Sequence, residues 1–375
     1  MHACKKNPGT SKSLRNRRYR DDLMMALPRL RLAAVLAVAA AELTPASPAA
    51  PVPPNILFFL ADDMGYGDAG YLSTGSAHGK LLTPNLDDMV AAGMSFTDAY
   101  AGAPVCAPSR CTLITGQHSG HCSVRSNGPV LSSAEVGFPT VLRQHKYHTR
   151  HIGKWGLGGF GTGASPLDKG FEYFYGQLSQ MFCHNYYPNH MDHGVLLPNG
   201  TQLTSEIPIP SNSNASETRC GPDRLQCTWS GDLWTAEALS FIKTAAAVAP
   251  WMMYLSYTAP HAGGVGTNTE GRACTSHLWI NSLRFLTISK PDSRAAFVLP
   301  CAEPPVPRIS SGPYWSNRAQ LGKEIGYASA VTEIDRQLGL VLGSLETAKI
   351  AEQTVVFFAS DNVRPPHLRE ITAAG

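Results

Sequence analysis

Asn55-Ile56-Leu57-Phe58-Phe59-Leu60-Ala61 is a continuous apolar run closed by Asp62-Asp63. It is too short for a buried helix and suits a strand covered on both faces, as in a parallel sheet. Thr354-Val355-Val356-Phe357-Phe358-Ala359-Ser360 is a second such run, and Asp361-Asn362 follows it in the same relative place. Residues 149–152 and 254–258 read as two more strands, and residues 86–92, 140–144 and 230–244 as helices between strands. The clearest helix spans about residues 323–346, where Ala328, Val331, Ile334, Leu338, Val341 and Leu345 recur at three- and four-residue spacing and give one apolar face. With 375 residues, 43% of them hydrophobic, the chain can bury a sizeable core, and the alternation of elements predicts an α/β domain. No internal repeat interrupts it.

In open α/β sheets, ligands bind outside the carboxyl ends of the strands, so the two carboxylate-bearing pairs can converge on one site. Asp62, Asp63, Asp361 and Asn362 form a hard, all-oxygen set that suits Ca²⁺ or Mg²⁺ better than zinc or copper. One Asp-Asp pair alone reads more easily as a helix cap or turn. Two pairs at two strand ends do not. Cys106-Ala107-Pro108-Ser109-Arg110, followed by Cys111-Thr112-Leu113-Ile114-Thr115-Gly116, is the third motif. Taken alone, Cys106 is a buried thiol, a disulfide partner or a thiolate whose pKa Arg110 lowers.

Read together, the three motifs resemble the active-site signature of the type I sulfatases, arylsulfatase-like members of the alkaline phosphatase superfamily in which the cysteine is oxidised to formylglycine. The resemblance covers about residues 54–262 and 321–362. It implies an alkaline-phosphatase-like sandwich, a large mixed but mostly parallel sheet with helices on both faces. It also implies Ca²⁺, alternatively Mg²⁺, held by Asp62, Asp63, the formylglycine from Cys106, Asp361 and Asn362. Gly153-Lys154-Trp155-Gly156-Leu157-Gly158 resembles the family's lysine-bearing segment, so Lys154 is expected on a sulfate oxygen. His261, at the end of Tyr254-Leu255-Ser256-Tyr257-Thr258-Ala259-Pro260-His261, matches the family's leaving-group or sulfate-contacting histidine. On spacing alone, one histidine among thirteen reads as structural.

Sulfate esters repel nucleophiles, and a divalent cation with Arg110 and Lys154 would neutralise their oxygens as charge shifts. A hydrated aldehyde at position 106 offers two hydroxyls. One attacks sulfur and displaces the alcohol; loss of the other's proton expels sulfate and restores the aldehyde.

Many members carry a histidine two residues after the lysine as the base of that second step, but here the position is Gly156. A subset resembling bacterial sulfatases has this glycine together with a segment like His184-Asn185-Tyr186-Tyr187-Pro188. His184 is therefore expected in the site as the substitute base or a substrate contact, against the plainer reading of a histidine in an aromatic surface loop. Gly116-Gln117-His118-Ser119-Gly120-His121 and Arg125-Ser126-Asn127 also follow that subset, which places His121 or Arg125 along the cleft.

Family members continue past the Asp-Asn pair with a glycine, a second lysine and a C-terminal subdomain, whereas this chain reads Val363-Arg364-Pro365-Pro366 and its last residue is Gly375. The expectation is a fold without that subdomain. Residues 1–23 read as a basic extension, 24–50 as a signal peptide with a Pro/Ala-rich linker, 54–362 as the catalytic domain and 363–375 as an atypical tail. Within the domain, residues 270–311, with Cys274 and Cys301, read as an atypical insertion. The apolar run 32–41 is too short to span a membrane, so no stable membrane insertion is expected. Secretion to the cell exterior or to a lysosome- or vacuole-like compartment would make Asn199-Gly200-Thr201 and Asn214-Ala215-Ser216 glycosylation acceptors. Nine cysteines suit an oxidising compartment, and Cys220 with Cys227 could close a short loop.

A formal charge of +3 indicates no polyanionic partner such as nucleic acid. The partners implied by the resemblance are a sulfated small molecule or carbohydrate and the formylglycine-generating enzyme. Three functions fit: a sulfuric ester hydrolase, a phosphodiester or phosphonate hydrolase of the same superfamily, and a truncated, non-catalytic sulfatase-like protein.

Overall fold

The computed structural model describes residues 52–72, 81–215, 220, 226–248, 250–261 and 325–362. The expected extension 1–23, signal segment 24–50, insertion 270–311 and tail 363–375 lie outside the described residues. One compact unit begins at Pro54.

Its frame is a sheet of seven strands: β1 (Asn55–Asp62), β2 (His148–Lys154), β3 (Tyr173–Gln177), β4 (His190–Leu196), β5 (Gln202–Pro208), β6 (Trp251–Pro260) and β7 (Thr354–Ser360). The spatial order is β5-β4-β3-β2-β6-β1-β7. From β7 through β3 every pairing is parallel, and β3-β4 and β4-β5 are antiparallel. Successive side chains of a strand point to opposite faces, so a strand buried on both must be apolar throughout. β1 and β6 come close to that over their central residues: Leu57, Phe59, Met253, Leu255 and Tyr257 enter one core, while Leu60, Met252 and Tyr254 enter the other.

Helices α1 (Pro84–Ala92), α2 (Cys106–Thr115), α3 (Phe138–Gln144), α4 (Ser230–Ala245) and α5 (Ile325–Thr347) cover the two faces. α1, α4 and α5 pack on the first core, and all six apolar positions read from the α5 pattern are buried there. α2 contributes Ala107, Cys111 and Ile114 to the second core, against which α3 sets Phe138 and Leu142. The mixed, mostly parallel sheet with helices on both faces is the expected architecture.

The parallel strands deliver their carboxyl ends to one rim. β1 ends at Asp62, β2 at Lys154, β6 just before His261, and β7 just before Asp361. Gly153 has φ +109°, and a Cβ there would lie 2.0 Å from Ser256 O. A bare backbone at that crossing lets β2 lie close to β6 and bring Lys154 to the rim.

Cys220 and Cys227 are bonded, and a second disulfide joins Cys111 on α2 to Cys122 in the loop that follows. Cys106 and Cys183 are the free, buried thiols among the described residues. Asn199 is exposed in the β4–β5 connection. No helix among the described residues is long and apolar enough to cross a membrane.

Candidate active site

Cys106 opens α2, and its thiol donates to Asp62 Oδ1 at 3.2 Å. Four residues on, one turn of helix, Arg110 is buried and fully committed. Its Nε donates to Asp361 Oδ2 at 3.0 Å, one terminal nitrogen lies 3.3 Å from Asp62 and 3.0 Å from Asp361, and the other donates to Lys154 O at 3.0 Å and to Ser256 Oγ. Lys154 Nζ pairs with Asp62 Oδ2 and lies 3.4 Å from His184 Nε2. Asp63 has φ +64°; its N–H donates to Asp361 Oδ1 at 3.2 Å, and its carboxylate accepts from Asn362 Nδ2. His261 Nε2 stands 3.4 Å from Asp63 Oδ2. The eight residues expected at the site other than His184 thus form one contiguous polar cluster, and His184 joins it through Lys154.

Burial works against charging Asp62, but Lys154, His261 and Arg110 outweigh it and hold its carboxyl well below the usual range. Asp361 goes the other way: burial, then Asp62, push it up to about 8. Burial and Asp62 also raise Asp63. Three crowded carboxyl groups facing two buried cations resist ionising together, as the raised Asp361 and Asp63 show, and a divalent cation would favour their charged forms. Single donor atoms from Asp62, Asp63, Cys106 and His261 all lie within 4.8 Å of one another. The donor chemistry therefore fits a hard divalent cation, with the Cys106 sulfur as its one soft member. Burial, then Asp62, push the Cys106 thiol well above its ordinary pKa. It is neither an activated thiolate nor a disulfide partner, which leaves the buried free thiol among its three simple readings.

The family model described as Sulfatase matches residues 54–370. The chain belongs to the sulfatase family. N-acetylgalactosamine-6-sulfatase of Canis lupus familiaris is 29% identical over 331 residues, covering 84% of this chain and 51% of that protein. Arylsulfatase G of Mus musculus is 43% identical over 128 residues, 33% of this chain and 23% of that one. The chain spans about half the length of the curated relatives it matches over most of its own. Among solved structures, Ps i-CgsB superposes with TM-score 0.57 at 22% identity, covering 82% of this chain and 58% of that one. A protein solved with its substrate D-glucosamine-2-N,6-O-disulfate superposes with TM-score 0.54 at 19% identity, covering 82% and 65%. At those identities the likeness is one of fold.

In this sulfatase-family chain, His184 closes a short 3-10 turn, Phe182–His184, on the β3–β4 connection. Its ring stacks on His261 with centroids 4.1 Å apart and planes 6° apart. Burial, His261 and Lys154 all drive its pKa well below the ordinary histidine value. His184 therefore sits between Lys154 and His261, with the neutral form of its ring favoured. Tyr186, two residues on, donates from its hydroxyl to His261 O at 2.6 Å and ties the two histidine-bearing segments together. Arg125 spends its guanidinium on the carbonyls of Cys122 and Gly120 in its own loop, and His121 is exposed beside His118.

Four contributors were not singled out from the sequence. Ser256 accepts from Arg110, and its signal was a small hydroxyl in a largely apolar strand. Asn127 Oδ1 accepts the Ala107 N–H at 3.1 Å and so caps α2, whose residue before Cys106 provides no side-chain cap. Tyr327 on α5 donates to Asp63 O at 3.2 Å. The fourth, His151, lies beneath Lys154 with its ring among Trp155, Phe171, Phe174 and Tyr254 and its Nε2 3.2 Å from Lys154 O.

Burial and then Arg110 depress the His151 pKa well below normal. The unfolded chain binds a proton there below about pH 6.5 that the folded chain refuses, so stability is lost as pH falls through that value. The expected result is a steep fall in stability between pH 6.5 and 5, which His151→Leu makes shallower by up to about 1.4 kcal/mol per pH unit. Denaturant melts of both proteins across that range check it; parallel curves would refute it.

Proposed function

We propose that the chain hydrolyses sulfate esters, sulfated carbohydrates among them, using a formylglycine made from Cys106 and a divalent cation, Ca²⁺ before Mg²⁺. The observation that carries this reading is the convergence of a free, buried Cys106 with Asp62, Asp63, Asp361, Asn362 and two buried cations. Membership of the sulfatase family supports the reaction class. The names of relatives and of one neighbour's bound disulfated glucosamine support the carbohydrate.

Asp62, Asp63, residue 106, Asp361 and Asn362 would hold the cation, which supplies charge neutralisation for the sulfate oxygens. Formylglycine at position 106, as its hydrate, would supply one hydroxyl to attack sulfur and another whose deprotonation would release sulfate. Arg110 has its nitrogens engaged by Asp62, Asp361, Ser256 and the Lys154 carbonyl, so its work is to hold the carboxylates in place and offset their charge. Lys154 Nζ, paired with Asp62 and 3.4 Å from His184 Nε2, would be the cation that meets a sulfate oxygen. His184 Nε2 would accept the proton that releases sulfate or contact the substrate, and His261 would meet the leaving oxygen or a sulfate oxygen. Maturation needs a formylglycine-generating enzyme, and the two disulfides suit the secretory pathway, with the catalytic unit within residues 54–362.

The test is turnover of 4-nitrophenyl sulfate against 4-nitrophenyl phosphate and bis(4-nitrophenyl) phosphate, by protein in which formylglycine at position 106 is verified by peptide mass. Sulfate turnover is expected to dominate. Preference for the diester would establish the phosphodiesterase reading, and no turnover of any of them would refute hydrolysis.

Two further outcomes are expected. Ca²⁺ at a hundredfold excess over its Kd stabilises the fold by about 2.7 kcal/mol, and a chelator reverses this; a melt indifferent to both refutes the cation site. His184→Ala lowers kcat by about 10²–10⁴-fold with KM little changed, as for loss of a general base. An unchanged kcat removes His184 from the mechanism.

A further inference from the structure

Gly156 and Gln180 are two halves of one feature. Gly156, two residues past Lys154, has φ +75°, in the left-handed region that disfavours any β-carbon. A Cβ at that position would lie 2.3 Å from Gln180 Oε1. While Gln180 stands there, no side chain enters from position 156. The arrangement is pinned by the backbone: Trp155 N–H donates to Gln177 O at 3.0 Å and Gly156 N–H to Leu178 O at 3.1 Å, so the segment carrying Gln180 is stitched to the segment carrying Lys154.

Gln180 is 9% exposed, and among the described residues neither Oε1 nor Nε2 has a hydrogen-bond partner. A carboxamide is one of the more demanding side chains to bury, with two donors and an acceptor to satisfy. Leaving even one such group unpaired costs about 1–3 kcal/mol. Native structures carry few of them, and each asks for a cause. Nothing in the fold requires an amide here, because a leucine would fill the same space without the penalty. The cause is better sought in a ligand. Gln180 is four residues before His184, whose Nε2 is 3.4 Å from Lys154 Nζ, so its amide shares a short loop with one candidate site residue and packs beside the strand end of another.

We propose that the Gln180 side-chain amide is a substrate contact, donating from Nε2 to an oxygen of the bound sulfate ester at the place where many sulfatases present a histidine from the position of Gly156. The inference rests on the sulfatase reading above and deepens it. An amide does not titrate, so this contact binds and orients without exchanging a proton. Proton transfer then falls to His184 from the same loop. The glycine at 156 and the glutamine at 180 belong together: one clears the space that the other fills.

The test uses mature, Ca²⁺-loaded protein as wild type, Gln180→Leu and Gln180→Glu. Turnover of 4-nitrophenyl sulfate, competitive inhibition by inorganic sulfate, and thermal melts are measured for each. Gln180→Leu is expected to lower kcat/KM and weaken sulfate inhibition roughly ten- to a hundredfold, the worth of a hydrogen bond to a charged group. Its melting temperature stays at or above that of the wild type, because an unpaired buried amide has been replaced by an apolar group of similar size. Gln180→Glu loses more activity than Gln180→Leu, since its carboxylate repels the sulfate. Wild-type kinetics and sulfate inhibition in Gln180→Leu would overturn the proposal, as would a Gln180→Leu melt well below the wild type, which would mean that the amide is paired. Absence of turnover in the wild type overturns the sulfatase reading and this inference with it; wild-type turnover with unaltered variants overturns this inference alone.

Discussion

Arg110→Met is expected to melt about 3–5 kcal/mol below the wild type and to lose turnover, whereas Arg110→Lys recovers part of the stability and little of the activity. The guanidinium and its partners Asp62 and Asp361 are almost wholly out of water. Removing one member of a buried ionic network strands the others, and that is where the large penalties lie. Asp361 is most affected, because burial and Asp62 already push its carboxyl up to about 8 while Arg110 and Lys154 restrain it. Ser256 Oγ and the Lys154 carbonyl would lose their donor at the same time. Lysine restores a charge, but a single ammonium cannot reproduce a planar fork that reaches two carboxylates, a hydroxyl and a carbonyl. Denaturant melts of the three proteins in chelator, then with Ca²⁺, check the expectation. Ca²⁺ should recover part of the loss in Arg110→Met by supplying positive charge to the same carboxylates. A variant within about 1 kcal/mol of the wild type would show that the network contributes little to the fold.

Much of this network was legible because its members sit where apolar patterns stop. β1 and β7 are uninterrupted runs, and the polar pairs that end them, Asp62-Asp63 and Asp361-Asn362, had to fall on the rim of a parallel sheet. α5 was legible for a similar reason, its one apolar face meeting one core. The ribbon β3-β4-β5 was not. Its last strand is exposed along most of its length, so burial imposes no pattern on its residues. α2 escaped notice as a helix because Pro108 and the β-branched Thr112, Ile114 and Thr115 give it a weak helical signature. Pro108 is tolerated because it lies in the first turn, where its missing N–H leaves no helical bond unmade. The Cys111–Cys122 bond was beyond sequence reasoning, since pairing depends on approach in space. Gln180 and Ser256 carried the faintest signal of all, single polar residues whose meaning appears only when their neighbours' hydrogen bonds are counted.

Cys106→Ser should abolish multiple turnover while leaving the fold intact, a loss of about 10³-fold or more in steady-state rate. Serine is close to cysteine in shape, and its hydroxyl can donate to Asp62 Oδ1 as the thiol does. The N-terminus of α2, its Asn127 cap and the Arg110 network are then unchanged, so the melt and its response to Ca²⁺ should match the wild type. What serine lacks is a second hydroxyl on the same carbon. It can attack sulfur once and keep the sulfate as a stable ester, with no neighbouring O–H for His184 to deprotonate. A single slow turnover is therefore expected, and the peptide containing position 106 should retain one sulfate group by mass. That outcome separates two causes of inactivity that rate measurements alone would merge: a protein unable to bind the ester stays unmodified, whereas one unable to release sulfate becomes sulfated. Sustained turnover by Cys106→Ser at the wild-type rate would mean that position 106 is not the nucleophile. The cluster around it would then act only as a cation site, and the attacking oxygen would have to come from water.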